Sequence, residues 1–125
     1  MKITAFNPLI IAQEADAIVE LFETLGFERR HMKTGINDED ITSIDMKDAN
    51  GFRMDVTKVE NMPRAMTTIR MTVDDFEEAY EFLKARGFIN PQGDELTHTG
   101  TSKAAMLIAP SGFAISLTQH IKKDK

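Results

Sequence analysis

A chain of 125 residues, 42% of them hydrophobic and none of them cysteine, is sized for one compact domain with its own core and excludes disulfides, thiol nucleophiles and cysteine-held metal. A formal net charge of −5 with dispersed basic residues lacks the positive stripe that nucleic-acid binding requires, so no nucleic-acid partner is expected. The opening stretch MKITAFNPLIIAQEADA holds a short apolar run broken by Asn7 and Pro8; it is too short to cross a bilayer and unlike a secretion signal, so no membrane association and a cytoplasmic location are expected.

In chain order, FNPLIIA reads as a strand. Ile18, Leu21, Phe22 and Leu25 then fall at i, i+3, i+4 and i+7, the stripe of an amphipathic helix, and Gly26 follows as a left-handed cap. A short strand is expected near Phe27 to His31, then strands at ITSIDMK and FRMDVTK, and then the connector KVENMPRAM, whose Pro63 suits no central strand. The next strand is TTIRMTV. A second helix carries Phe76, Ala79, Phe82 and Leu83, opens with Asp74 three residues before Glu77 as a capping box, and closes at Gly87. A short strand near Phe88 to Asn90 and strands at KAAMLIA and FAISLTQ complete the chain, and the HIKKDK tail reads as a solvated end.

The order of elements is β-α-β-β-β, twice. Four Gly-Phe dipeptides, at Gly26-Phe27, Gly51-Phe52, Gly87-Phe88 and Gly112-Phe113, are spaced 25 residues apart within each half and 61 between halves. An ungapped shift of 61 also sets Phe52, Met54 and Val56 against Phe113, Ile115 and Leu117. A shared register of apolar positions argues for an internal repeat of one supersecondary unit.

At LFETLGF, VDDFEEAYEFLKARGF and APSGFAISL the chain resembles the vicinal-oxygen-chelate superfamily, which includes glyoxalase I, the bleomycin-resistance proteins and the extradiol dioxygenases. The resemblance runs from about Ile3 to Gln119. It implies an α+β fold of two βαβββ modules with curled mixed sheets around a cavity and helices on the convex side, here a single domain made of module 1 (1–61) and module 2 (62–125). It also implies a homodimer. Metal-dependent members carry ligands on the first and last strand of each module, and the matching positions here are Asn7, Asp55, Thr68 and Ser116. One carboxylate, one amide and two hydroxyls hold a divalent ion weakly, so neither a metal nor another cofactor is expected.

Strand alternation then sorts the residues that share the cavity with those four. With Phe52, Met54 and Val56 facing the helix layer, Arg53, Asp55 and Thr57 face away, and by repeat so do Ser116 and Thr118. Thr68, Arg70 and Thr72 face the cavity in module 2, and Asn7, Leu9 and Ile11 in module 1. This mixed lining suits a small organic ligand oriented by a few polar groups. Asp55 is the one weak catalytic candidate, as a general base, against a carboxylate that merely pairs with Arg53. His31 and His98 read as surface histidines, and His120 continues the cavity face toward its rim. Met54, Met71 and Met106 read as core fillers and the NDED run as a solvated turn. Three function classes remain open: a metal-independent small-molecule-binding protein of the bleomycin-resistance type, a glyoxalase- or lyase-type enzyme using Asp55 as acid/base or partial metal ligand, and a partner-binding domain. The weak ligand set favours the first.

Overall fold

The computed structural model describes residues 1–34, 42–98 and 102–120. The NDED run, the last five residues of the tail and the side chain of His31 lie outside the described set. The fold is α+β, with strands β1 (Ile3–Ala12), β2 (Glu28–Thr34), β3 (Thr42–Lys47), β4 (Arg53–Lys58), β5 (Met66–Val73), β6 (Thr97–His98), β7 (Ser102–Ile108) and β8 (Ala114–His120). The helices are α1 (Ala15–Thr24) and α2 (Phe76–Lys84). Neither is long and apolar enough to cross a membrane.

The chain forms two compact units, Asn7–Thr67 and Met1–Phe6 with Thr68–Lys125. In the first, the strand order is β2-β3-β4-β1, with β1 and β4 parallel and the other pairs antiparallel. A parallel pair needs a crossover, and α1 lies within that connection. In the second, the order is β5-β8-β7-β6, with β5 and β8 parallel. There the first residues of the chain run beside β5: Asp74 N donates to Lys2 O at 3.1 Å and Thr4 Oγ1 to Thr72 O at 3.3 Å.

The pairing of one unit recurs in the other 61 positions later. Leu9–Asp55, Ile10–Val56 and Ile11–Thr57 in β1 and β4 correspond to Arg70–Ser116, Met71–Leu117 and Thr72–Thr118 in β5 and β8. Asp45–Asp55 likewise corresponds to Met106–Ser116. Both helices end alike, with Phe27 N donating to Phe22 O at 2.9 Å and Phe88 N to Leu83 O at 3.2 Å. The residues before these donors, Gly26 and Gly87, have φ of +106° and +94°, which a Cβ would disfavour.

Each helix covers one face of its own sheet, but not with the stripe expected from sequence. Ala15 and Val19 are buried in α1, with Ile18 and Phe22 packed beside them, while Leu21 is 55% exposed. In α2, Phe76, Ala79, Tyr80 and Leu83 are buried and Phe82 is 45% exposed. Leu21 and Phe82 are equivalent positions, and both stripes are rotated away from them. The α2 cap is also displaced by one: Asp75, not Asp74, accepts from Glu78 N, at 3.1 Å. Gln119 of β8 adds a second clamp, its Oε1 accepting from Phe76 N and its Nε2 donating to Asp74 O, both at 2.8 Å.

Three further expectations are corrected. Phe52 is exposed at the turn before β4 rather than in the core. Met106 is half-buried opposite Ser116, on the face away from α2, because Ala105 and Leu107 take the core positions. At Phe88 to Asn90 there is only an isolated bridge, Ile89 with Ile108, and the second module's short strand is β6. Lys33 pairs with Ser43, whereas Ala104, 61 after Ser43, pairs with Thr97, 64 after Lys33. The second copy therefore carries three extra residues there, and Asp94 in this segment accepts from Tyr80 Oη at 3.2 Å and Lys84 Nζ at 3.3 Å.

Removing buried aromatic volume leaves a cavity that packing closes only in part. Phe76→Ala, at a 1% exposed ring, is expected to cost about 3–5 kcal/mol in urea unfolding, and Leu21→Ala less than about 0.5 kcal/mol. Equal losses would restore the stripe read from sequence.

Candidate functional site

Eight polar or charged side chains are buried among the described residues: Asn7, Ser43, Asp55, Thr68, Thr72, Ser102, Ser116 and Thr118. By strand alternation every one stands on the face of its sheet opposite the helix. Strand neighbours of these residues, such as Ile44, Val56, Met71 and Leu117, supply the helix-side cores. A buried face this rich in polar groups is costly unless each group finds a partner.

In the first unit Asn7 and Asp55 form the centre of that face. Asn7 Nδ2 donates to Asp55 Oδ2 at 2.9 Å and to Pro8 O at 3.0 Å, and the two side chains are 7% and 6% exposed. Leu9 stands in register with Asp55 and is buried; half-buried Ile11 stands in register with half-buried Thr57. Thr57 Oγ1 donates to Ser43 Oγ at 3.3 Å. Arg53 keeps the parity of Asp55 but is exposed.

Asp45, which the sequence reading passed over, lies directly opposite Asp55. Like charges in that relation repel. On the same face, two residues along each strand, Lys47 and Arg53 form the next aligned pair, so two carboxylates adjoin two cations. The alternation of Asp45 with Ile44 and Met46 was the signal that could have found it.

In the second unit the corresponding face carries Thr68, Thr72, Ser116 and Thr118, all buried, with half-buried Arg70 in register with Ser116. His120 lies at the exposed end of β8, and His98 is exposed in β6.

By sequence, the chain matches no family model and no curated protein. By structure it is similar to a methylmalonyl-CoA epimerase, at 21% identity and a TM-score of 0.68 over 93% of this chain and 94% of that one. It is also similar to the methylmalonyl-CoA epimerase of Mycobacterium tuberculosis, at 13% identity and a TM-score of 0.70 over 94% of this chain and 88% of that one. A glyoxalase I mutant from Zea mays superposes at 16% identity with a TM-score of 0.68, covering 98% of this chain and 46% of the longer maize chain. The chain has the vicinal-oxygen-chelate fold.

The positions that match the ligands of metal-dependent members are Asn7 and Asp55 in the first unit and Thr68 and Ser116 in the second, and neither pair of donors suits a divalent ion. In the first unit the Asn7 amide turns its N–H toward Asp55, so it acts as donor to the carboxylate rather than as a second oxygen ligand beside it. In the second unit Thr68 and Ser116 offer neutral hydroxyls, which hold a divalent cation poorly.

The Asn7–Asp55 bond has a charged acceptor and is buried, so it is expected to couple the two residues by about 1.5–3 kcal/mol. A double-mutant cycle of Asn7→Ala and Asp55→Ala measures this in urea. Additive losses would make the contact incidental.

Proposed function

We propose that the protein is a metal-independent small-molecule-binding protein of the glyoxalase/bleomycin-resistance type that sequesters or senses a small organic ligand in the cytoplasm. The supporting observation is the confinement of all eight buried polar side chains to the helix-free sheet faces, beside apolar Leu9 and Ile11. Such a surface can orient a ligand by a few hydrogen bonds while apolar groups supply most of the contact. Asn7, Leu9, Ile11, Arg53, Asp55, Thr57, Thr68, Arg70, Thr72, Ser116 and Thr118 are the ligand-facing set. The two modules, 1–61 and 62–125, are read as copies of an internal repeat in one domain.

A second reading, an enzyme of the glyoxalase or lyase type with Asp55 as acid/base or partial metal ligand, draws support from Asp45 in register with Asp55. A second carboxylate beside the first supplies the kind of oxygen donors that a partial metal site uses. Against it stands the hydrogen bond from Asn7, which already occupies one oxygen of Asp55.

Two measurements separate these readings. A thermal-shift screen of small organic compounds is expected to find ligands that raise Tm, with about 2.7 kcal/mol of stabilisation at a hundred times Kd. Elemental analysis of protein purified without chelator is expected to find far less than one transition metal per chain. Near-stoichiometric metal that disappears in Asp55→Ala would move the assignment to the enzyme.

The proposed assembly is a homodimer, since sheets of this kind leave edge strands to cover. Light scattering at micromolar concentration is expected to give twice the chain mass of 14.1 kDa; a monomer mass would refute it.

A further inference from the structure

Thr57 and Thr118 stand at equivalent places in β4 and β8, yet their hydroxyls meet different surroundings. Thr57 Oγ1 donates to Ser43 Oγ at 3.3 Å, the residue opposite it on β3. The residue opposite Thr118 on β7 is Ala104. Thr118 is 6% exposed, and its Oγ1 is buried with no hydrogen-bond partner among the described residues.

A buried hydroxyl without a partner is unfavourable, and a methyl group of the same shape would avoid the cost. The hydroxyl therefore has its use when something absent from the chain itself bonds to it.

The surroundings specify what that is. Thr118 is in register with Thr72, and Arg70 lies two residues before Thr72, in register with Ser116. These residues share one face, so Arg70, a permanent cation, is rooted diagonally across from Thr118. A guanidinium has five N–H donors and can serve more than one acceptor at once. The described strand positions on this face of β5, β7 and β8 include no aspartate or glutamate, so an incoming anion meets no repulsion from them.

We propose that the helix-free face of the second unit holds the anionic oxygen head of a small ligand, a carboxylate or a phosphate monoester, with Thr118 Oγ1 and the Arg70 guanidinium donating to it. The inference rests on the small-molecule-binding reading and adds the class of ligand. Ionised acceptors make the stronger hydrogen bonds, which sets the preference over neutral isosteres.

The test has two arms. In the ligand-free protein, Thr57→Val is expected to lower Tm, because it breaks the bond to Ser43, whereas Thr118→Val is expected to leave Tm unchanged or raise it. A fall for Thr118→Val equal to that for Thr57→Val would show a hydroxyl already bonded and would overturn the proposal. In the second arm, butyrate and benzoate, butyl and phenyl phosphate, and the neutral butyramide and benzamide are titrated calorimetrically against wild type, Thr118→Val and Arg70→Gln. One anionic series is expected to bind wild type, to exceed its amide, and to weaken roughly ten- to a hundred-fold in each variant. The series that binds identifies the head group. Amides binding as well as anions, or anions indifferent to both substitutions, would refute this inference while leaving small-molecule binding intact. Failure of all six probes would refute it as well, and only an equally empty broad screen would remove the binding reading with it.

Discussion

Everything on the helix-free faces depends on two parallel strand pairs, β1 with β4 and β5 with β8. Such pairs cannot be closed by a tight turn, so each unit spends a helix on the crossover and then fixes the register of the returning strand. That register puts Leu9, Asp55 and Asp45 in one transverse row and Arg70, Ser116 and Met106 in the equivalent row. A slip of one residue would turn Asp55 toward α1 and expose Val56, which is fully buried. The burial of Val56 and Leu117 thus holds the polar residues beside them in place.

Within this shared geometry the two copies have diverged by pairs. Asn7 and Asp55 answer to Thr68 and Ser116, and Ser43 and Thr57 answer to Ala104 and Thr118. The first change exchanges a charged hydrogen bond for two hydroxyls. The second removes one partner and leaves the other, which is why Thr118 lacks the hydroxyl contact that Thr57 makes with Ser43. The first face carries acids balanced by the Lys47–Arg53 row, while the strands of the second carry Arg70 among hydroxyls.

Much of this was legible in the chain itself. Alternation over RMDVT and ISLT placed Asp55, Ser116 and Thr118 on the helix-free side because polar and apolar residues alternate there. KAAMLIA gave no such phase: it is apolar on both faces, so Met106 was assigned to the wrong one. The helix stripes failed for a related reason, since Leu21 and Phe82 are apolar but outward, and residue type alone does not compel burial. Phe82 is instead shielded by Arg86, whose guanidinium carbon lies 3.5 Å from the ring centroid. The short strand β6 was unreadable because its place is set by bonds to β7 rather than by its own side chains. The Asn7–Asp55 contact spans 48 residues of sequence and became visible only with the register.

The identical registers of the two modules also bear on how the chain finds its fold. Because β4 and β8 present the same backbone pattern, either could in principle dock beside β1 or β5, and backbone hydrogen bonding would barely distinguish the arrangements. The side chains do. A crossed docking would face Asn7 with Ser116 and Asp55 with Thr68, exchanging a buried bond between amide and carboxylate for contacts that leave the carboxylate beside a hydroxyl. The bond between the Asn7 amide and the Asp55 carboxylate is thus available only when β4 returns to the strand of its own half.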